Sequence, residues 1–306
     1  MNRTRMFLVA AALLLAPYGR VHAVTAPDTS FVDFDNDGVR SPGDRPLSDY
    51  AGPGLTGFNE FGGNTGAKGP VGIVLEGNVV LGDESGDMKL FFVRGNITVR
   101  GNVTIKSRDT LLWLMTNGGK ITFAPGVVVK GNGQMMFQAA SGGTISVGDG
   151  AVFSTRGYDG SDVTFAADRD VTVGARTSFT TAAGYSNIEF QSGNTLRIAP
   201  GLKMRGPNHG GITITAHADL DLAGLDVRTG YVHIEAFADD AHPAAKRLHI
   251  ASSKFYQTYK NGEFRLLANP DARTLRFAPD ALVLTKVLVS TKTPWPLYYP
   301  ENPTIQ

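Results

Sequence analysis

Residues 121–129 read ITFAPGVVV, and this pattern decides the fold. Two apolar-any-apolar triplets, Ile121/Phe123 and Val127/Val129, flank the turn Ala124-Pro125-Gly126. Alternation with period two marks a strand with one buried face. Proline and glycine break extended structure and admit unusual backbone angles. The phrase returns as ISVGDGAVF from Ile145, LRIAPGLKM from Leu196 and LRFAPDALV from Leu275, with looser copies from Ile73, Ile97, Val171, Leu220 and Leu248. Successive starts lie 24, 24, 24, 26, 25, 24, 28 and 27 residues apart. A third short strand closes each coil, as at 112–114, 163–165, 188–190, 212–214 and 232–234. The segments are too short, too glycine-bounded and too β-branched for helices.

Three strands per coil of 24–28 residues predict an all-β fold, a single right-handed parallel β-helix of about nine coils over residues 71–287. The hand follows from the rule for parallel crossovers. Coils stacked about 4.8 Å apart make a rod on the order of 40 Å long. Residues 24–70 form an N-terminal segment whose glycine-rich part, 45–70, is expected to cap the first coil. The tail 288–306 carries Pro294, Pro296, Pro300 and Pro303, and is expected to leave the ladder and fold back along the rod.

Residues 1–23 read as a secretory signal peptide: Arg3 and Arg5, an apolar run from Met6, then Val21-His22-Ala23 as a cleavage site. The expected location is extracellular or periplasmic, with no membrane span in the mature chain. The chain has no cysteine, so disulfides play no part. A formal net charge of +1 argues against nucleic acid as a partner. No nucleotide loop, zinc-type spacing or nucleophile elbow stands in the sequence.

The coils resemble pectate-lyase-type β-helices, and the run from Gly210 to Ala236, GGITITAHADLDLAGLDVRTGYVHIEA, resembles the repeats of filamentous haemagglutinin adhesins. These resemblances imply a carbohydrate-active enzyme, most plausibly a polysaccharide lyase, or a surface protein.

Residues 33–44, DFDNDGVRSPGD, match a twelve-residue calcium loop. Asp33, Asp35 and Asp37 take positions one, three and five, and Gly38 takes the sharp turn at six. Val39 offers its carbonyl, Ser41 its hydroxyl or a water, and Asp44 stands at twelve. The loop resembles those of dockerins and extracellular calcium repeats. A structural Ca2+ ion is expected.

Outward residues of stacked coils form columns. Arg197, Asp221 and His249 belong to the first-strand column, and Lys203, Asp226 and Lys254 to its neighbour. A lyase needs a cation to neutralise a uronate carboxylate and a Lys, Arg or His as base, and these six are the candidates. Alternating signs along a column equally suit charge pairing between exposed strands. Phe92, Trp113 and Met136 are expected to stand outward in adjacent coils, as a patch covered by another segment or as a platform for sugar rings. The leading expectation is a secreted, non-enzymatic protein of surface adhesion or extracellular matrix, with polysaccharide or cell-surface partners. The alternatives are a polysaccharide lyase and a glycan-binding module.

Overall fold

The computed structural model describes residues 29–49, 57–61, 71–81, 88–106, 111–157, 160–182, 184–290, 297–299 and 304–305. The signal peptide expected at 1–23 and most of the cap expected at 45–70 lie outside the described residues. Among the described residues no helix is long and apolar enough to cross a membrane.

The chain winds into an all-β parallel solenoid with three strand-bearing faces. Residues 121–129 show why. Lys120–Phe123 pairs in parallel with Ile97–Val99 on one side and Thr144–Val147 on the other, so Ile121 stacks on Ile97 and Ile145. After the turn at Gly126 (φ 72°), Val128–Gly131 pairs with the corresponding strands of both neighbouring coils. Leu111–Asn117 and Gln134–Ala140 do the same on the third face.

One face is a continuous ladder of nine strands and another of ten. The first face is divided: its ladder ends at Leu196–Ile198, and a four-stranded ladder begins at Leu220–Ala223. About seven turns result, slightly fewer than the nine copies of the phrase. The ninth copy is out of phase. Leu248 pairs with Leu282 rather than with the phrase start at Leu275, which is exposed with φ 56°.

The interior is one apolar column. Phe123, Phe137, Phe153, Phe165, Phe179 and Phe190 come from all three faces and are at most 1% exposed. Phe153 stacks on Phe179 and Phe165 on Phe190, while Phe165 meets Phe179 edge-on at 5.5 Å. Such pairs add about 1 kcal/mol each beyond the area they bury.

On the first face the N-terminal end is covered by an antiparallel hairpin. Phe31–Asp33 pairs with Arg45–Pro46 and with the first-face strand Gly72–Leu75. An antiparallel neighbour uses the donors and acceptors of the open edge, so another chain cannot add there. Alternation would turn Val74 outward, but at this closed end it is buried.

The tail departs from expectation. Leu297–Tyr299 pairs in parallel with Phe264–Ala268, and Thr304–Ile305 with Leu282–Thr285. Proline removes the ladder donor only at its own position, so three residues between Pro296 and Pro300 can still pair.

Candidate functional site

The second face in the C-terminal half carries a groove of about 670 Å3. Arg205, Asp226, Arg228, Lys254, Tyr256 and Asn208 are among the residues lining it. Strand alternation supplies two outward columns here. Lys203, Asp226 and Lys254 stand in register, and beside them so do Arg205, Arg228 and Tyr256. Four cations therefore stand around a single carboxylate. Arg205 is committed: its guanidinium meets the Asp226 carboxylate at 2.5 Å and donates to the Asp226 carbonyl oxygen at 2.7 Å. Lys203, Arg228 and Lys254 are exposed and form no ion pair among the described residues.

A cluster of rings, with Tyr185 and His209 exposed and Tyr231 and Tyr259 half-buried, stands at the next corner. His209 follows the groove residue Asn208, and Tyr259 follows the groove residue Thr258. The His209 ring lies 4.4 Å from Tyr259 and 5.3 Å from Tyr185, which is 61% exposed. Tyr231 adjoins Tyr259 at 6.0 Å. Cationic groups beside flat aromatic faces can hold a chain that bears carboxylates on sugar rings.

The six charged candidates do not converge. Asp226 and Lys254 line this groove and Lys203 stands in register with them on the same face, whereas Arg197, Asp221 and His249 stand on the first face. Arg197 is in register with Thr172, and its strand makes no ladder with that of Asp221. Asp221 is engaged by His249 at 3.0 Å. Columns drawn from the first outward position of each strand leave out Arg205 and Arg228, because alternation also turns the residue two places on outward.

The apolar candidates are also redistributed. Trp113 is in register with Met136, but Phe92 aligns with Met115, one outward column away. All three are half-buried, and Trp113 Nε1 is shielded from solvent without a hydrogen-bond partner. The open aromatic surface lies instead at Tyr185 and His209.

The acidic loop is the turn of the N-terminal hairpin. Asn36 (φ 58°) and Gly38 (φ 79°) take left-handed backbone, which brings Asp33, Asp35 and Asp37 together with ligand atoms within 4.8 Å of one another. Asp33 is 2% exposed, its Oδ2 accepts from Gly38 N at 2.7 Å, and its Oδ1 has no partner. Burial pushes the Asp33 carboxyl up, and a hydrogen bond shared with Asp33 holds Asp35 down. A buried carboxylate oxygen lacking a donor, beside two more carboxylates, fits a hard cation.

The remaining loop residues have other partners. Asp44 does not join the cluster: its oxygens accept from Phe34 N at 2.8 Å and Ser41 N at 2.6 Å, closing the turn. Val39 is exposed, and its N–H donates to Asp37 Oδ1. Asn36 Oδ1 accepts from Asn96 N at 2.6 Å, and the Arg100 guanidinium donates to the Gly38 carbonyl, so the loop is tied to the first coils.

Comparison with protein-family models, curated proteins and solved structures found no match to this chain. The parallel solenoid thus stands on the coordinates, and the likenesses to pectate lyases, haemagglutinin repeats and dockerin loops rest on pattern alone.

Proposed function

We propose that this is an exported, non-enzymatic attachment or matrix protein that binds acidic polysaccharide along the second-face groove. The observation that carries this reading is the pair of exposed cations lining the groove, Arg228 and Lys254, which form no ion pair among the described residues, with the exposed His209 one residue beyond the groove residue Asn208. A rod suits the task, because columns spaced about 4.8 Å apart present repeated contacts to an extended polymer. The non-enzymatic part rests on the separation of the candidate acid–base groups onto two faces.

Retardation in gels containing polygalacturonate or alginate tests this reading. The double variant Arg228→Gln, Lys254→Gln should bind about 10-fold more weakly, since exposed charge contacts contribute up to about 1 kcal/mol each. Unchanged retardation would remove the groove from the account. Ultraviolet absorbance of unsaturated sugars, released from the same polymers, would replace binding by lyase chemistry.

Calcium belongs to the same proposal as a structural ion at Asp33, Asp35 and Asp37. Bound there it would neutralise the clustered carboxylates and hold the hairpin on the first coil. Calcium should raise the melting temperature by several degrees, roughly 1–2 kcal/mol for a domain of this size. Asp33→Asn should abolish that rise. A melt indifferent to chelator would exclude the ion.

A further inference from the structure

Five of the six histidines fall between His209 and His249, and His217 and His242 meet at a site apart from the groove. The chain leaves the third face after Tyr231–Ala236 and returns to the first at Leu248–Ala251, so residues 237–247 form an expanded corner. In it Asp239 N donates to the His242 carbonyl at 3.2 Å, and His242 N donates to Asp239 Oδ1 at 2.7 Å. This tight turn brings the Asp239 and His242 side chains together. His217 follows Gly211–Ala216, the strand stacked against Tyr231–Ala236.

The three side chains converge. His217 Nδ1 lies 3.1 Å from Asp239 Oδ2, and His242 Nδ1 lies 3.3 Å from Asp239 Oδ1. Their ligand atoms all fall within 4.8 Å of one another. Bonds of about 2.0–2.1 Å to a tetrahedral zinc ion place neighbouring donors roughly 3.3 Å apart. Hydrogen bonding alone does not account for the arrangement. His217 Nδ1 is shielded from solvent and makes no hydrogen bond, although a carboxylate oxygen stands within reach. His242 Nδ1 does reach Asp239 Oδ1 in a hydrogen bond, so the unpartnered group that points to an ion is His217 Nδ1, which faces the other oxygen of the same carboxylate.

The surroundings leave the three groups available. Glu235, which could compete, is taken by His233 at 3.0 Å and by the Asn269 side-chain amide. Phe237 stands edge-on to His217 at 5.0 Å and forms an apolar wall. Lys246, in the same expanded corner, is buried.

We propose that His217, Asp239 and His242 bind a divalent transition ion of the zinc class. Two imidazoles and one carboxylate suit that class better than calcium, which prefers oxygen throughout. Three protein ligands leave a fourth position for water or an outside donor. The ion would fasten the expanded corner to the coil before it. This inference does not depend on the polysaccharide reading.

The test uses the full chain, stripped with chelator and titrated with Zn(II) against a chromophoric competitor in excess Ca(II). One equivalent should bind. His217→Ala and His242→Ala should each weaken it by more than about 100-fold, while His249→Ala and His209→Ala leave it unchanged. Cobalt(II) on the wild type should give the intense visible bands of four-coordinate nitrogen–oxygen ligation, a readout independent of whether the variants fold. Absence of zinc binding, a six-coordinate cobalt spectrum, or full binding by the His217→Ala, His242→Ala double variant would overturn the proposal.

Discussion

Phe165→Ala will destabilise the solenoid by about 4 kcal/mol, the range for emptying a large aromatic site in a packed core. Phe165 is fully buried and touches five other rings, with centroids at 6.0 Å from Phe123, 4.8 Å from Phe137, 5.0 Å from Phe153, 5.5 Å from Phe179 and 5.3 Å from Phe190. Those rings are held by strands on three hydrogen-bonded faces, so they cannot collapse into the gap. In a solenoid each coil rests only on its neighbours, so the damage concentrates in the central coils. Urea unfolding should show a lower midpoint for Phe165→Ala. Leu288→Ala, at a side chain 51% exposed, should stay within about 0.5 kcal/mol of wild type.

Gly119→Ala will cost about 3 kcal/mol, although only one methyl is added. Gly95, Gly119 and Gly143 stack at one corner, where successive coils meet backbone to backbone. A Cβ on Gly119 would lie 2.0 Å from the Gly95 carbonyl oxygen and 2.5 Å from Thr116 Oγ1. Thr116 donates its hydroxyl to that same carbonyl, so displacing Gly95 also breaks a buried hydrogen bond. Gly126→Ala is the contrast. Gly126 has φ 72° and nothing within 4 Å of an added Cβ, so only the backbone cost of about 1 kcal/mol applies. Thermal melts of the two variants should separate by that difference.

These corners explain why so much of the fold is legible. The backbone approach that demands glycine recurs in three successive coils, at Gly95, Gly119 and Gly143, and the inward stacks demand apolar residues at the same period. Both constraints are local, so the 24-residue step, the strand alternation and the core phenylalanines can be read directly. Phase is less secure, because alternation does not say where a strand begins. Leu275 opens a copy of the phrase, but the Asp271 side chain accepts from the N–H groups of Arg273 and Thr274, at 2.9 and 2.7 Å. That turn takes up the start of the ninth copy and delays the strand to Leu282–Thr285.

The candidate sites were legible in proportion to how local they are. The acidic loop lies within twelve consecutive residues, and its Asp33, Asp35 and Asp37 cluster is present. The pattern also selects Asp44, whose oxygens close the turn on Phe34 N and Ser41 N, and spacing alone does not distinguish that role from ligation. The groove joins residues from four coils, and choosing its members requires the register, which places Arg205 beside Arg228, Arg228 beside Tyr256 and Tyr256 beside Ser290. His217 and His242 lie far apart in sequence and match no linear motif. The only visible sign was the crowding of histidines into one part of the chain.

The central claim is that the second-face groove recognises carboxylates on a polysaccharide. Calorimetric titration of the full chain with an acidic oligouronate, and with the same oligosaccharide after reduction of its carboxyl groups, tests it most directly. Saturable binding of the acidic form is expected, weakening as salt rises, with at least about 10-fold weaker binding of the reduced form. Equal affinity for both forms, or no binding of the acidic form at low salt, would contradict it.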